Sequence, residues 1–189
     1  MANILIIHGA YGNAQENWFP WLKKELESLG NNVFIPNFPT PEKQNLKNWL
    51  EILAPYEQYL NKDSIVIGHS LGPVFLLHVI EKLKIPIKAA FFVSCFLSPL
   101  GNPDFDKINA SFYKSDFNWA QIKANCKEFY IYHSDDDPYV PIEIADKIAR
   151  GLDVNIQVIE GAGHFNETAG YVTFPLLLGA IKQLEDLND

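Results

Sequence analysis

The sequence predicts an α/β fold: a three-layer α/β/α sandwich around a six-stranded, mainly parallel sheet. Six short apolar runs recur along the 189 residues, and helix-patterned segments separate them from end to end. Continuous apolar runs are what strands covered on both faces require, and strict alternation of strand with helix is the pattern of a parallel sheet. Glycine-rich stretches follow several of the runs, at the carboxyl ends of the predicted strands, where such sheets gather their chemistry.

The strands are predicted at Ile4–Ile7, Val33–Ile35, Ile65–Ile67, Ala89–Val93, Phe129–Tyr132 and Val154–Ile159. Between the first two, Trp21–Leu29 sets Leu22, Leu26 and Leu29 on one helical face, with Gly30 as a stop. Thr40-Pro41-Glu42 reads as the next helix start, with Leu46, Trp49, Leu50 and Leu53 on one stripe and Pro55 interrupting it. After the third strand, Pro73 suits the first turn of a helix that is apolar nearly all round, as a central helix requires. Residues 94–127 contain no clear strand and are the candidate for a small cap. Pro141–Arg150 is helical, ending at Gly151, and the last helix carries Leu177, Ile181, Leu184 and Leu187.

A chain of this length, 48% hydrophobic, is expected to form one domain over residues 1–189. Its formal charge of −8 argues against nucleic acid or an anionic membrane surface as the main partner. Cys95 and Cys126 make neither a disulfide framework nor a metal set and read as reduced core thiols. The first apolar run lacks the length and basic leader of a signal peptide, so a cytoplasmic protein is expected. No cofactor is indicated.

Three strand ends carry chemistry-bearing residues. Gly68-His69-Ser70-Leu71-Gly72 places a serine between two glycines on a sharp strand-to-helix turn, the pattern of a nucleophile elbow. His133-Ser134-Asp135-Asp136-Asp137-Pro138 puts three carboxylates after the fifth strand; they can bind a hard cation, orient a histidine or cap the next helix. Gly161-Ala162-Gly163-His164 frees a histidine to reach a neighbouring loop. The first strand also ends in glycines, His8-Gly9-Ala10-Tyr11-Gly12, where the Ala10 N–H is a candidate to join that of Leu71 in an oxyanion hole. The third glycine of a dinucleotide-binding turn is missing there.

Serine after strand three, aspartate after strand five and histidine after strand six is the order that α/β-hydrolases use. The sequence resembles that superfamily and, within it, the small family of retinoblastoma-binding protein 9 and its bacterial serine-hydrolase relatives. The resemblance rests on "IVIGHSLG", "NWAQIKANC", "SDDDPYVP" and "GAGHFN" and covers nearly the whole chain. It implies a compact six-stranded sheet in the order 2-1-3-4-5-6, with Ser70 as nucleophile, Asp137 as acid and His164 as base. It does not extend to retinoblastoma-protein binding, since the region of the Leu-x-Cys-x-Glu segment reads Gln58-Tyr59-Leu60-Asn61-Lys62-Asp63.

The expected activity is hydrolysis of an ester or amide of a small acyl substrate through an acyl-enzyme, as in a carboxylesterase or an aminopeptidase-like amidase. Trp18, Phe96, Phe117 and Trp119 are candidates to line its pocket, and packing beneath a cap is the competing role for these aromatics. His69 and His133 are given structural roles, the side chain of His69 expected to point away from the serine. Two other classes stand beside the enzyme reading: a protein-binding scaffold with weak or no catalysis, and a metal-dependent hydrolase built on the aspartates.

Overall fold

The computed structural model describes residues 1–186. Its strands are β1 Asn3–Ile7, β2 Asn32–Phe34, β3 Ile65–His69, β4 Ile87–Val93, β5 Cys126–Ser134 and β6 Ile156–Ile159. They form one sheet in the order β2-β1-β3-β4-β5-β6, every pairing parallel, which is the order the resemblance implies. The helices are α1 Phe19–Ser28, α2 Leu46–Glu57, α3 Gly72–Lys82, α4 Pro103–Asn109, α5 Trp119–Asn125, α6 Ile142–Leu152 and α7 Pro175–Asp186.

The twofold repeat of strand side chains sorts the core onto two faces. Leu5, Ile7, Val66, Ala90 and Phe92 pack with α2, α3, α5 and α6, while Ile4, Ile6, Ile65, Ile67 and Phe91 pack with α1 and α7. That division makes the three layers. In the last helix Leu177, Ile181 and Leu184 are buried as their spacing predicts, and Leu187 lies outside the described residues. Cys95 and Cys126 are buried free thiols, each pushed by burial up to about 12. No helix among the described residues is long and apolar enough to cross a membrane.

Three local expectations are corrected. The second helix starts at Leu46, not near Thr40, because Asn45 is the residue whose side chain accepts from the Asn48 N–H and caps it. Thr40 is used elsewhere: its Oγ1 accepts the N–H of Tyr11 at 2.6 Å. The same helix runs through Pro55 to Glu57, since a proline near the last turn removes only one bond. Gly151 lies inside α6, and Asp153, at φ +62°, is the residue that ends it. A Cβ on Gly151 would stand 2.4 Å from the Trp119 ring, so this glycine is a packing site for the indole.

Residues 94–127 hold α4, a single 3₁₀ turn at Ala110–Phe112 and α5. Their later part is pinned to the body: His78 of α3 bonds the Phe112 carbonyl at 2.8 Å, and Lys114 pairs with Glu81 at 2.7 Å. Their earlier part, Leu100 to Phe105, faces the carboxyl edge of the sheet.

Candidate active site

The apolar run of β3 ends at a residue with an unusual backbone. Ser70 has φ +59°, a conformation that L side chains rarely adopt. Its N–H is held by Val93 O on β4 at 2.9 Å, which anchors the bend to the sheet. The flanking glycines allow the close approach the bend requires. A Cβ on Gly68 would lie 2.6 Å from Pro73 N, and one on Gly72 would lie 2.5 Å from Ile7 O. Pro73 occupies the first turn of α3, where its missing N–H costs nothing.

The loops after β5 and β6 are joined residue by residue. Asp135 Oδ1 accepts the Gly161 N–H at 2.9 Å, and Asp136 Oδ1 accepts the Gly163 N–H at 2.8 Å. Asp137 lies 2.8 and 3.1 Å from His164 Nδ1 through its two oxygens. The three carboxylates therefore divide their work: two hold the backbone of the histidine loop and the third meets the imidazole. Neither Asp135 nor Asp136 caps the following helix. Ser134 Oγ adds to the seam, 2.6 Å from Asp136 Oδ1 and accepting the Ala162 N–H at 2.9 Å.

The Asp137 side chain is 1% exposed, and burial by itself would raise its pKa. The His164 hydrogen bond and charge, with the N–H groups of Tyr139 and Val140, outweigh that and hold it below the ordinary carboxylate value. His133 keeps this loop in place by donating from Nε2 to Val140 O at 2.9 Å. It is fully buried, its pKa lowered chiefly by desolvation. The edge of the Tyr139 ring packs on His164, with centroids 5.1 Å apart.

Two cavities reach both Ser70 and His164, one of about 250 Å³ and one of about 800 Å³. Ala10, Tyr11 and Asn166 line both. Among the backbone donors beside Ser70, the Tyr11 N–H goes to Thr40 and the Gly12 N–H to Gly9 O. The N–H groups of Ala10 and Leu71 have no protein acceptor among the described residues. Gly9 comes close to the serine, since a Cβ there would stand 2.7 Å from Ser70 Cβ. His8 keeps this turn in shape: its Nε2 accepts the Phe38 N–H at 2.9 Å, so its proton is on Nδ1, 2.7 Å from Gly9 O.

The aromatic residues expected in the pocket line neither of these cavities. Trp18 is fully buried on the α1 and α7 side, its Nε1 donating to Phe165 O at 3.0 Å. Phe117 packs on His78, and Trp119 on Gly151. Phe96 is fully buried behind Phe105, with ring centroids 5.8 Å apart. The larger cavity is instead lined by Tyr11, Leu100, Phe105, Tyr139 and Val140.

His69 also departs from expectation. It shares the smaller cavity with Ser70, and its Nε2 lies 2.7 Å from the backbone carbonyl of His164. Strand alternation does not apply across a residue with positive φ, so a position next to Ser70 need not face away from it.

A family model described as serine hydrolase matches residues 4–183. YdeN of Bacillus subtilis is 30% identical over 176 residues, covering 92% of this chain and 91% of that one. Its crystal structure superposes with a TM-score of 0.90 at 28% identity, covering 98% of this chain and all of the other. The serine hydrolase RBBP9 of Rattus norvegicus is 29% identical over 156 residues, 82% of this chain and 81% of the relative. Est1E of Butyrivibrio proteoclasticus, solved with ferulic acid bound, shares the fold at a TM-score of 0.72 and 17% identity, over 100% of this chain and 90% of Est1E.

Proposed function

The chain belongs to the serine hydrolase family, and on that premise we propose that it cleaves an ester or amide of a small acyl substrate through Ser70, His164 and Asp137. The observation that carries this reading is the Asp137–His164 pair at 2.8 Å, on a loop that shares both cavities with Ser70. A serine hydroxyl is a poor nucleophile at neutral pH and needs a base. In the proposed reaction His164 Nε2 takes the Ser70 proton as Oγ bonds the substrate carbonyl carbon. The carbonyl π electrons move to oxygen and form the tetrahedral intermediate. Asp137 holds Nδ1–H, which fixes the tautomer and stabilises the imidazolium.

The N–H groups of Leu71 and Ala10 are the proposed oxyanion donors, supported by their having no other protein acceptor among the described residues. Leu71 directly precedes α3, whose N-terminal end favours the developing negative charge. Collapse of the intermediate breaks the bond to the leaving alcohol or amine, which takes the proton from His164. Water then attacks the acyl-enzyme by the same steps and releases the acid. Tyr11, Leu100, Phe105, Tyr139 and Val140 give the larger cavity an apolar side for the bulk of the substrate, beside the polar Asn102, Asp104 and Asn166.

Labelling with a fluorophosphonate probe tests the reading. Stoichiometric labelling of the wild type, lost in Ser70→Ala and reduced at least a hundredfold in rate in His164→Ala, is the expected result. Folded wild type that does not label would overturn it.

A further inference from the structure

The loop after β2 is laced to the turn that carries Ala10. The Ala14 N–H donates to Asn37 Oδ1 at 3.1 Å, the Phe38 N–H to His8 Nε2 at 2.9 Å, and the Tyr11 N–H to Thr40 Oγ1 at 2.6 Å. From Thr40 the bonding continues into the interior. The Thr40 hydroxyl donates to Gln44 Oε1, and Gln44 Nε2 donates to Asn109 Oδ1 at 2.6 Å. Asn109 Nδ2 then donates to Phe105 O at 2.8 Å, one helical turn back on α4. An unbroken chain of four hydrogen bonds thus joins the turn after β1 to α4.

The two ends permit one arrangement of the protons. A backbone N–H can only donate and a backbone carbonyl can only accept. Asn109 must therefore turn its amide nitrogen to Phe105 and its oxygen to Gln44. That orients Gln44 in the same sense and sends the Thr40 proton to Gln44. Bonds that all point one way polarise one another, and a break at any link leaves a buried group unpaired. Gln44 is 6% exposed and Asn109 is fully buried, so solvent offers a broken link little repair. Tyr11 stands at φ +60°, and Lys43, in the turn closed by the Gln44 N–H on Pro41 O, stands at φ +61°. Such conformations persist where the surrounding bonds over-determine them.

Both ends of the chain belong to the larger cavity. Tyr11 and Phe105 line it with Ser70, their rings 6.2 Å apart. The middle of the chain does not: Thr40, Gln44 and Asn109 line neither cavity that reaches Ser70. What these three side chains hold is backbone. The Thr40 bond fixes the peptide between Ala10 and Tyr11. Because a peptide is planar, only the two dihedrals of Ala10 separate that fixed unit from the Ala10 N–H, the proposed oxyanion donor.

We propose that Thr40, Gln44 and Asn109 are positioning residues for the oxyanion turn, their chain setting its place relative to the wall that α4 contributes. The inference rests on Ser70 being the nucleophile and the Ala10 N–H an oxyanion donor. It assigns a share of transition-state stabilisation to two buried amides that meet neither the serine nor the substrate. A displaced donor holds the ground state almost as well as before but the developing oxyanion less well, so the loss falls on the chemical step.

The test follows fluorophosphonate labelling against probe concentration, which separates the first-order constant for bond formation from the apparent affinity for the probe. Ser70 Oγ bonds phosphorus, fluoride leaves, and the phosphoryl oxygen gains charge where the oxyanion would. A first-order constant does not depend on how much of the protein is folded. Thr40→Val, similar in shape but without the hydroxyl, and Asn109→Leu are each expected to lower it about tenfold, with a smaller change in affinity. Thr40→Ser, which keeps the hydroxyl, should restore most of the rate. Gln44→Met, which breaks the chain at its middle, takes the place of Asn109→Leu if that variant does not fold. Because the chain acts as one unit, the double variant Thr40→Val/Asn109→Leu should match the slower single variant, not the roughly hundredfold loss of two independent effects. Wild-type rate in Thr40→Val, or multiplied losses in the double variant, would overturn the positioning chain while leaving the serine reading intact. Folded wild type that does not label removes the serine reading and the positioning role together.

Discussion

His69 Nε2 stands 2.7 Å from the backbone carbonyl of His164, tying the residue before the serine to the backbone of the histidine loop. A nitrogen facing a carbonyl must carry its proton. Burial first, and then the nearby His164 charge, push the His69 pKa down to about 3, so the ring stays neutral. The ring also packs edge-on against Trp18 and Phe19. On the proposed assignment of His164 as the base, His69 is a positioning residue for it.

Replacing it should separate positioning from packing. His69→Ala leaves a cavity and an unpaired buried carbonyl, a loss of about 2–4 kcal/mol. His69→Gln keeps an amide donor for the same oxygen. At a temperature where both variants are fully folded, kcat is expected to fall about tenfold or more in the alanine variant, with much of it restored by glutamine. KM should change little. Equal kcat in the two variants would mean that the imidazole only fills space.

The strained serine predicts a trade of stability for function. Glycine adopts φ +59° without the steric cost that Ser70 bears. Ser70→Gly should abolish labelling yet stabilise the fold by about 1 kcal/mol, raising Tm by about 2–4 °C. Ser70→Ala, which keeps a Cβ, should abolish labelling without that gain. Thermal denaturation of the three proteins decides it, and a lower Tm for the glycine variant would contradict the strain.

Two glycines should answer differently to the same substitution. A Cβ on Gly72 would lie 2.5 Å from Ile7 O, so Gly72→Ala must push α3 away from β1 and should cost about 3 kcal/mol or more. Gly161 has φ +67° but open space around it, so Gly161→Ala should cost only about 1 kcal/mol of backbone strain. Denaturant midpoints measure both; equal losses would refute close approach as the role of Gly72.

Acid should destabilise the protein through its histidines. His8, His69, His78 and His133 all have lowered pKa values, in each case chiefly through burial. In the unfolded chain these groups take up protons near an ordinary histidine pKa of about 6.5, which the folded state refuses. Stability is thus complete above about pH 6.5 and lost as pH falls towards the folded value, about 3 for His69. His69 alone should remove about 2 kcal/mol between pH 7 and pH 5. The lowered Asp137 adds loss of the same sign at still lower pH. Urea unfolding at the two pH values checks this, and a more stable protein at pH 5 would reverse the sign.

Much of the molecule was legible in the residues themselves. Apolar runs such as Ile65–Ile67, the turn glycines and Pro73 act through local periodicity and backbone sterics, so they located the strands, the sharp bend and the strand ends that bear Ser70, Asp137 and His164. What periodicity says is that a face is apolar; it does not say what that face meets. Whether an aromatic lines a cavity or the core was therefore decided by packing alone. Trp18 and Trp119 went to the interior, Tyr11 and Phe105 to the cleft, and Gly151 became a seat for an indole. The roles of Asp135 and Asp136 depended on N–H groups 26 and 27 residues away, and Asn17 and Glu167, 150 residues apart, bond each other's N–H through their side chains. Those contacts exist only because a parallel sheet brings the carboxyl ends of its strands to one edge, where distant loops become neighbours.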